Sequence, residues 1–281
     1  MDMSGLDLKG IDFQRAILAG ANFKSADVSG ANFTQANLAG ADLSGANLNK
    51  AVLKEADLTE ANVTNANLAD ALLDDAIAVK ARMQNAILNQ VTAKDANFSE
   101  ADLTKASLRG AKLTGADFSK SVLNQASFHG ANLHAASVGG AVGIEIDMEE
   151  ADLTELRAAS GVNFSRGVFR KATGAESIWQ KANLSGADFS FADMKGADFT
   201  SASLERANLN ATNMKGAKFR KANLTEAKFV CMNLFQGSLE KANLTRADFR
   251  GSNLYGVEFL ESVLEDTNFE FANLKMTKLA R

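Results

Sequence analysis

The chain has 281 residues, a formal net charge of −4, no proline and one cysteine. A single cysteine excludes an internal disulfide and any multi-cysteine metal centre, and no stretch approaches the roughly 18 apolar residues of a membrane helix. Charge is uneven: residues 1–160 carry 21 acidic and 13 basic side chains, residues 161–281 carry 13 and 17, making a weak electric dipole. The opening MDMSGLDLKG lacks the central apolar run of a signal peptide. A cytoplasmic protein is expected, with secretion by a signal-peptide-independent route left open.

A five-residue sentence runs the length of the chain. Ala36 to Gly45 reads ANLAG-ADLSG, and Ala182 to Phe191 reads ANLSG-ADFSF. A small residue, usually Ala, precedes Asp or Asn, then Leu or Phe, then two mostly polar or small residues. Neither the helix period of 3.6 nor the strand period of 2.0 divides into five, and a fixed short repeat marks a solenoid. The lack of proline fits coils that pair backbone to backbone, because proline removes a donor from any ladder.

On these residues the sequence resembles the pentapeptide-repeat family over almost its whole length. The resemblance implies an all-β fold, a right-handed quadrilateral β-helix. In it the middle residue of each five and the small residue two before it point inward, and four fives close one coil. About 55 repeats then give about 14 coils, on the order of 65 Å long at about 4.8 Å per stacked strand.

Taken along the chain, one frame with centres Leu8, Phe13 and Leu18 runs to about residue 158. A second frame, one residue later, starts at Phe164 and runs through Phe169, Leu184 and Phe189 to Leu279. The chain is thus read as an N-terminal segment 1–158 and a C-terminal segment 159–281 continuing the same solenoid. A four-sided coil requires chemistry to recur every 20 residues, and in the second frame it does. Phe169, Phe189, Phe229, Phe249 and Phe269 fall on one side, and Phe199, Phe219 and Phe259 with Trp179 on the opposite one. Rings facing rings across a narrow interior form a packed core rather than a channel. The Asp and Asn columns, such as Asn37, Asp42, Asn47, Asp57, Asn62 and Asn67, are read as side chains bonding the backbone at turns.

Three regions break the pattern, and departures in a solenoid are where function is grafted. In 72–93, Ala78 and Ala93 replace large centres, while Val52, Leu72, Ile77 and Val79 form a candidate outward apolar interface. The alternative there is a local frame shift that turns these residues inward. In 138–178 the frame changes, and Glu145, Asp147, Glu149, Glu150, Asp152 and Glu155 crowd into an acidic patch followed by Arg157, Arg166, Arg170 and Lys171. Either a bulged coil or a short helix capped by Asp147 accounts for the slip. A solvated ridge or partner contact is expected there in preference to a cation site. In the C-terminal half, Lys195, Lys215, Phe235, Tyr255 and Lys275 share one column, with Leu260 on a neighbouring face, and aromatic side chains rimmed by lysine resemble an interface hot spot.

Catalytic chemistry has little support. His129 and His134 sit five apart and project from neighbouring faces, so no metal site is expected, and Cys231 has no histidine in register. No phosphate loop or triad signature appears, and no cofactor is expected. The sequence therefore points to a non-catalytic protein-binding scaffold or adaptor with an unidentified protein partner. Self-association through uncapped coil ends is expected, as a homodimer or higher stack. The family resemblance adds two alternatives, a DNA mimic that binds gyrase and protects it from inhibitors, and a bacterial secretion-system effector or adaptor. The net basic C-terminal half is wrong for a continuous DNA mimic, and also leaves an anionic surface such as nucleic acid or membrane as a further partner.

Overall fold

The computed structural model describes residues 1–278, so the expected last centre, Leu279, lies outside the described residues. Two compact units are formed, Met1–Val142 and Gly143–Arg281. Both are built from one five-residue unit, and the backbone explains why it has five residues. In the repeat Ala21–Ser25, the Ala21 N–H donates to Leu18 O (3.0 Å), closing a turn, and the Asn22 N–H donates to Met1 O in the preceding coil (2.9 Å). The Phe23 and Ser25 N–H groups donate forward to Asp42 O (2.7 Å) and Ser44 O (2.9 Å). Only the Lys24 N–H lacks a backbone acceptor, and Asn22 Oδ1 accepts it at 3.1 Å. Backbone polar groups must find partners, so the Asp or Asn of each five supplies the one bond the coil cannot.

Those carboxamides and carboxylates also join along their columns. Asn62 Nδ2 donates to Asp42 Oδ1 at 3.0 Å, and Asn47 Nδ2 to Asp27 Oδ1 at 3.1 Å. The turn reading of the Asx columns therefore holds. At the second corner residue φ is near +60° whatever the side chain: Gly40 has 63°, Lys50 59° and Glu60 58°. This is the positive φ that the third residue of a type II turn needs, where glycine is the unstrained choice.

Parallel bridges link each Asx position to its equivalent one coil on. In the first unit the step is 20 residues, from Asp2↔Asn22 to Val122↔Val142. In the second unit Asp147↔Val168, Asp152↔Thr173 and Arg157↔Ile178 step by 21, and from Asn163↔Asn183 onward the step is 20 again. The extra residue sits in one turn, 159–161, where Ser160 and Gly161 both take positive φ (72° and 78°). The expected irregularity over 138–178 thus narrows to one bulged corner. Asp147 caps no helix; its Oδ1 accepts the Glu149 N–H at 3.1 Å in the ordinary corner.

Away from the first and last coils, inward residues are closed off from water: Phe23, Leu43, Phe98, Trp179 and Phe229 are all 0% exposed, as are most of the alanines two positions earlier. Rings along one side stack in parallel, Phe169 on Phe189 at 4.4 Å and Phe229 on Phe249 at 4.3 Å. Across the interior they meet edge to face, as Phe169 meets Trp179 at 5.5 Å and 84°, and Phe189 meets Phe199 at 5.9 Å and 87°. Both geometries suit the ring quadrupole. The undersized centres are filled by neighbours rather than left void. A Cβ on Gly143 would lie 2.9 Å from Phe164 Cε1, and one on Gly174 2.5 Å from Met194 Sδ.

Candidate partner-binding surfaces

In the first unit the frame does not slip at 72–93. Ala78 and Ala93 remain inward and fully buried, and the bridges keep their 20-residue step. Leu72, Ile77 and Val79 accordingly face outward. Val52 and Leu72 are bridged to each other and half-buried, with the Lys54–Asp74 ion pair (3.3 Å) at their edge. Ile77 is 44% exposed on the adjoining column, with Val79 half-buried at the corner beside it. Ile87, also outward at 42%, lies in a different column. At Leu72, Ile77 and Ile87 an apolar side chain stands where Asp or Asn would accept a corner N–H. Losing such a bond costs about 0.5–1.5 kcal/mol, so these positions give up local stability for an apolar surface.

In the second unit the acidic cluster is largely neutralised by the coil above it. Arg166 pairs with Glu145 (3.3 Å), Arg170 with Glu149 (2.8 Å) and Lys171 with Glu150 (2.9 Å). Each basic partner lies 21 residues on, so the extra corner residue sets these pairings. Asp152 accepts the Thr154 N–H at 3.0 Å, and Glu155 is exposed at its corner.

The aromatic column is assembled more tightly than its spacing alone requires. Phe235 and Tyr255, both half-buried and outward, stack at 5.3 Å with 9° between their planes. Lys215 Nζ sits 5.5 Å from the Phe235 centroid on its other side, a cation–π contact. Lys195 turns aside to Asp193 at 2.8 Å, and Lys275 is exposed beyond Tyr255. Leu260 occupies a different corner and is 45% exposed.

Below Phe235 lies a groove of about 470 Å³, which the column of named lysines and rings did not reveal. Gly196 and Gly216 line it, and Lys218 and Glu176 join Lys195 and Lys215 around it. Gly196 and Gly216, consecutive in a column that otherwise holds Glu176, Gln236, Gly256 and Met276, were the sequence signal for it. Phe191 and Phe271, at 67% and 86% exposure, are two further outward rings, legible in the sequence only as residues two places past the centres Phe189 and Phe269.

The repeat architecture and its corner chemistry find a direct counterpart among known families. The family model for pentapeptide repeats matches residues 2–35, 36–75, 53–90, 66–104, 81–119, 101–140, 175–206, 202–240 and 242–279. The chain belongs to the pentapeptide-repeat family. Its fold class is accordingly a right-handed β-helix solenoid, and the family is generally non-catalytic. The matches stop at 140 and resume at 175, either side of the bulged corner. Among solved structures, the chain is similar to HetL, a pentapeptide repeat protein involved in heterocyst differentiation regulation in the cyanobacterium Nostoc sp. strain PCC 7120. That likeness has 25% identity over 85% of this chain and 89% of the other, with a TM-score of 0.42. A pentapeptide repeat protein of the Arabidopsis thaliana thylakoid lumen is 33% identical over 42% of this chain and 68% of the other, with a TM-score of 0.28. Full-length QnrB1, a plasmid-mediated fluoroquinolone resistance protein, is 18% identical over 73% of this chain and 87% of the other, with a TM-score of 0.27. No curated protein matches the sequence. Among the described residues, no helix is long and apolar enough to cross a membrane.

Proposed function

We propose that this protein is a non-catalytic protein-binding scaffold, built as a quadrilateral coil of about 14 turns, whose principal contact surface is the corner bearing Lys215, Phe235 and Tyr255. The carrying observation is the outward Phe235–Tyr255 stack at 5.3 Å with Lys215 against it. Most rings in this fold point inward. An outward, half-buried aromatic pair within a cationic rim has the anatomy of an interface hot spot. The Val52–Leu72–Ile77–Val79 surface is a second contact region of the same scaffold, supported by its outward apolar side chains and the corner bonds they forgo. Self-association through the coil ends belongs to this reading too. Leu6 and Ile11, at inward small-residue positions, are 48% and 39% exposed, which supports it.

The pairing of Glu145, Glu149 and Glu150 with Arg166, Arg170 and Lys171 weighs against a DNA mimic that binds gyrase, which needs a continuous unpaired anionic surface. The test is affinity capture from the source cells with wild type and a Phe235→Asp/Tyr255→Asp variant of unchanged melting temperature. A specific partner lost in the variant is expected. Capture that is indifferent to the variant overturns the assignment of this corner, and recovery of gyrase by both proteins restores the mimic.

A further inference from the structure

The groove under Phe235 has a shape that narrows the choice of partner. Glu176 lays its carboxylate over Gly196, filling the space a Cβ there would take. Over Gly216, by contrast, nothing lies within 4 Å of the Cβ position. Two coils, roughly 10 Å, separate the Phe235 layer from the Gly196 layer. Subtracting the thickness of the ring above and the carboxylate below leaves a slot for one flat group. The underside of Phe235 faces this slot and is covered by Lys215 Nζ, 5.5 Å from the ring centroid. Lys195 and Lys218 flank it.

Resting on the scaffold reading, we propose that this slot recognises an acidic peptide segment of a partner protein by taking one aromatic side chain beneath Phe235. The inserted ring stacks on the face of Phe235 turned away from Tyr255, the face that Lys215 now covers. It displaces the Lys215 ammonium sideways, where that ammonium and that of Lys218 meet carboxylates on either side of the ring. Charge selects a peptide over a nucleic acid. Glu176 lines the slot, Asp193 holds Lys195 at 2.8 Å, and Asp198 lies close enough to Lys218 to feel its charge. A phosphodiester chain carries charge at every unit and cannot avoid these carboxylates, whereas a peptide can place its own acids only beside the lysines.

Isothermal titration of the full chain with the blocked pentapeptide Glu-Asp-Trp-Asp-Glu tests this. Gly216→Gln fills the slot at little conformational cost, because Gln236 and Glu176 already hold the same corner position at φ 55°. Binding of the pentapeptide is expected, at least tenfold weaker in Gly216→Gln and in Lys215→Glu/Lys218→Glu, with melting temperatures unchanged. Replacing the peptide's Trp by Ala is expected to weaken it to a similar degree. No heat of binding at millimolar peptide, or equal affinity in Gly216→Gln, overturns the proposal. Tighter binding of a single-stranded oligothymidylate reassigns the slot to nucleic acid. Dimerisation of the protein that is lost in Gly216→Gln reassigns it to a second copy, whose Phe271 stands beside Glu270 in an exposed corner. Partner capture that survives Gly216→Gln but fails in Phe235→Asp/Tyr255→Asp refutes the slot and leaves the scaffold standing.

Discussion

Truncating Phe189 to alanine probes whether stacked rings hold the interior. Phe189 is fully buried, lies face to face with Phe169 at 4.4 Å and 5°, and meets Trp179 and Phe199 edge-on at 6.2 and 5.9 Å. Removing a buried phenylalanine costs about 3–5 kcal/mol, more where neighbours cannot collapse into the void. Each ring pair adds about 0.5–1.5 kcal/mol beyond area burial. Phe169 is fixed by its own edge contact to Trp179, and Phe199 by its stack on Phe219 at 5.0 Å, so the upper half of the range is expected. Trp179 is the chain's one tryptophan and borders the cavity, which makes its fluorescence a direct local readout of urea unfolding. With a urea dependence of about 2–3 kcal/mol per molar, the midpoint is expected to fall by about 1.3–2.5 M. Phe189→Leu retains most of the volume and is expected to cost about 1–2 kcal/mol. A loss below about 1 kcal/mol in Phe189→Ala would refute the reasoning, because it would mean that the facing rings close the gap freely.

Two other measurements follow from single side chains. Trp179 Nε1 donates to Ser177 Oγ at 2.8 Å, and that hydroxyl donates to Gly174 O at 2.6 Å. Ser177→Ala restores the commonest residue at that position yet strands a buried indole N–H, so a loss of about 1–3 kcal/mol is expected in chemical denaturation. Introducing Trp179→Phe alongside it is expected to recover part of that loss. The Asp27 carboxyl is held down at about 2, from an ordinary 3.8, by hydrogen bonds from the Ser29 hydroxyl and N–H first, aided by Asn47 and Lys9. A depressed folded value means the unfolded chain takes up the proton more readily. The stabilisation is therefore complete above about 3.8 and is lost as pH falls toward about 2. Asp27→Asn, which keeps the corner acceptor, is expected to flatten unfolding curves across that window, and an unchanged acid limb would count against the assignment.

Much of the fold was legible because its rules are local. The Asx residue answers a backbone N–H two positions on, so its recurrence every five residues announces the corner before any coil has formed. The inward alternation of Ala with Leu or Phe follows from the same corner, and the 20-residue recurrence of Phe169, Phe189, Phe229 and Phe249 anticipated which rings would stack. At 72–93 the sequence left two alternatives standing, since an undersized Ala78 was compatible with either. The bridges decided that Leu72 and Ile77 face outward, because one slipped residue would have changed the 20-residue step that they keep with both neighbouring coils.

The candidate surfaces were legible only as columns. That Lys195, Lys215, Phe235 and Tyr255 align follows from counting. That Lys215 lies against Phe235 while Lys195 turns to Asp193 does not, because long side chains choose among partners only once the coils are stacked. The slot over Gly216 is likewise defined by what Glu176 covers and Phe235 overhangs, one coil away on either side.

What the sequence by itself determined is the orientation of each residue within its five, since that depends on backbone bonds spanning a few positions. What only the tertiary structure decided is which residue of one coil meets which residue of the next. A single extra residue at 159–161 shifts by one position the pairings that straddle it, bringing Arg170 over Glu149 and Lys171 over Glu150. The change of frame between residues 158 and 164 was legible in the sequence, but which side chains it brings together is a property of stacked coils.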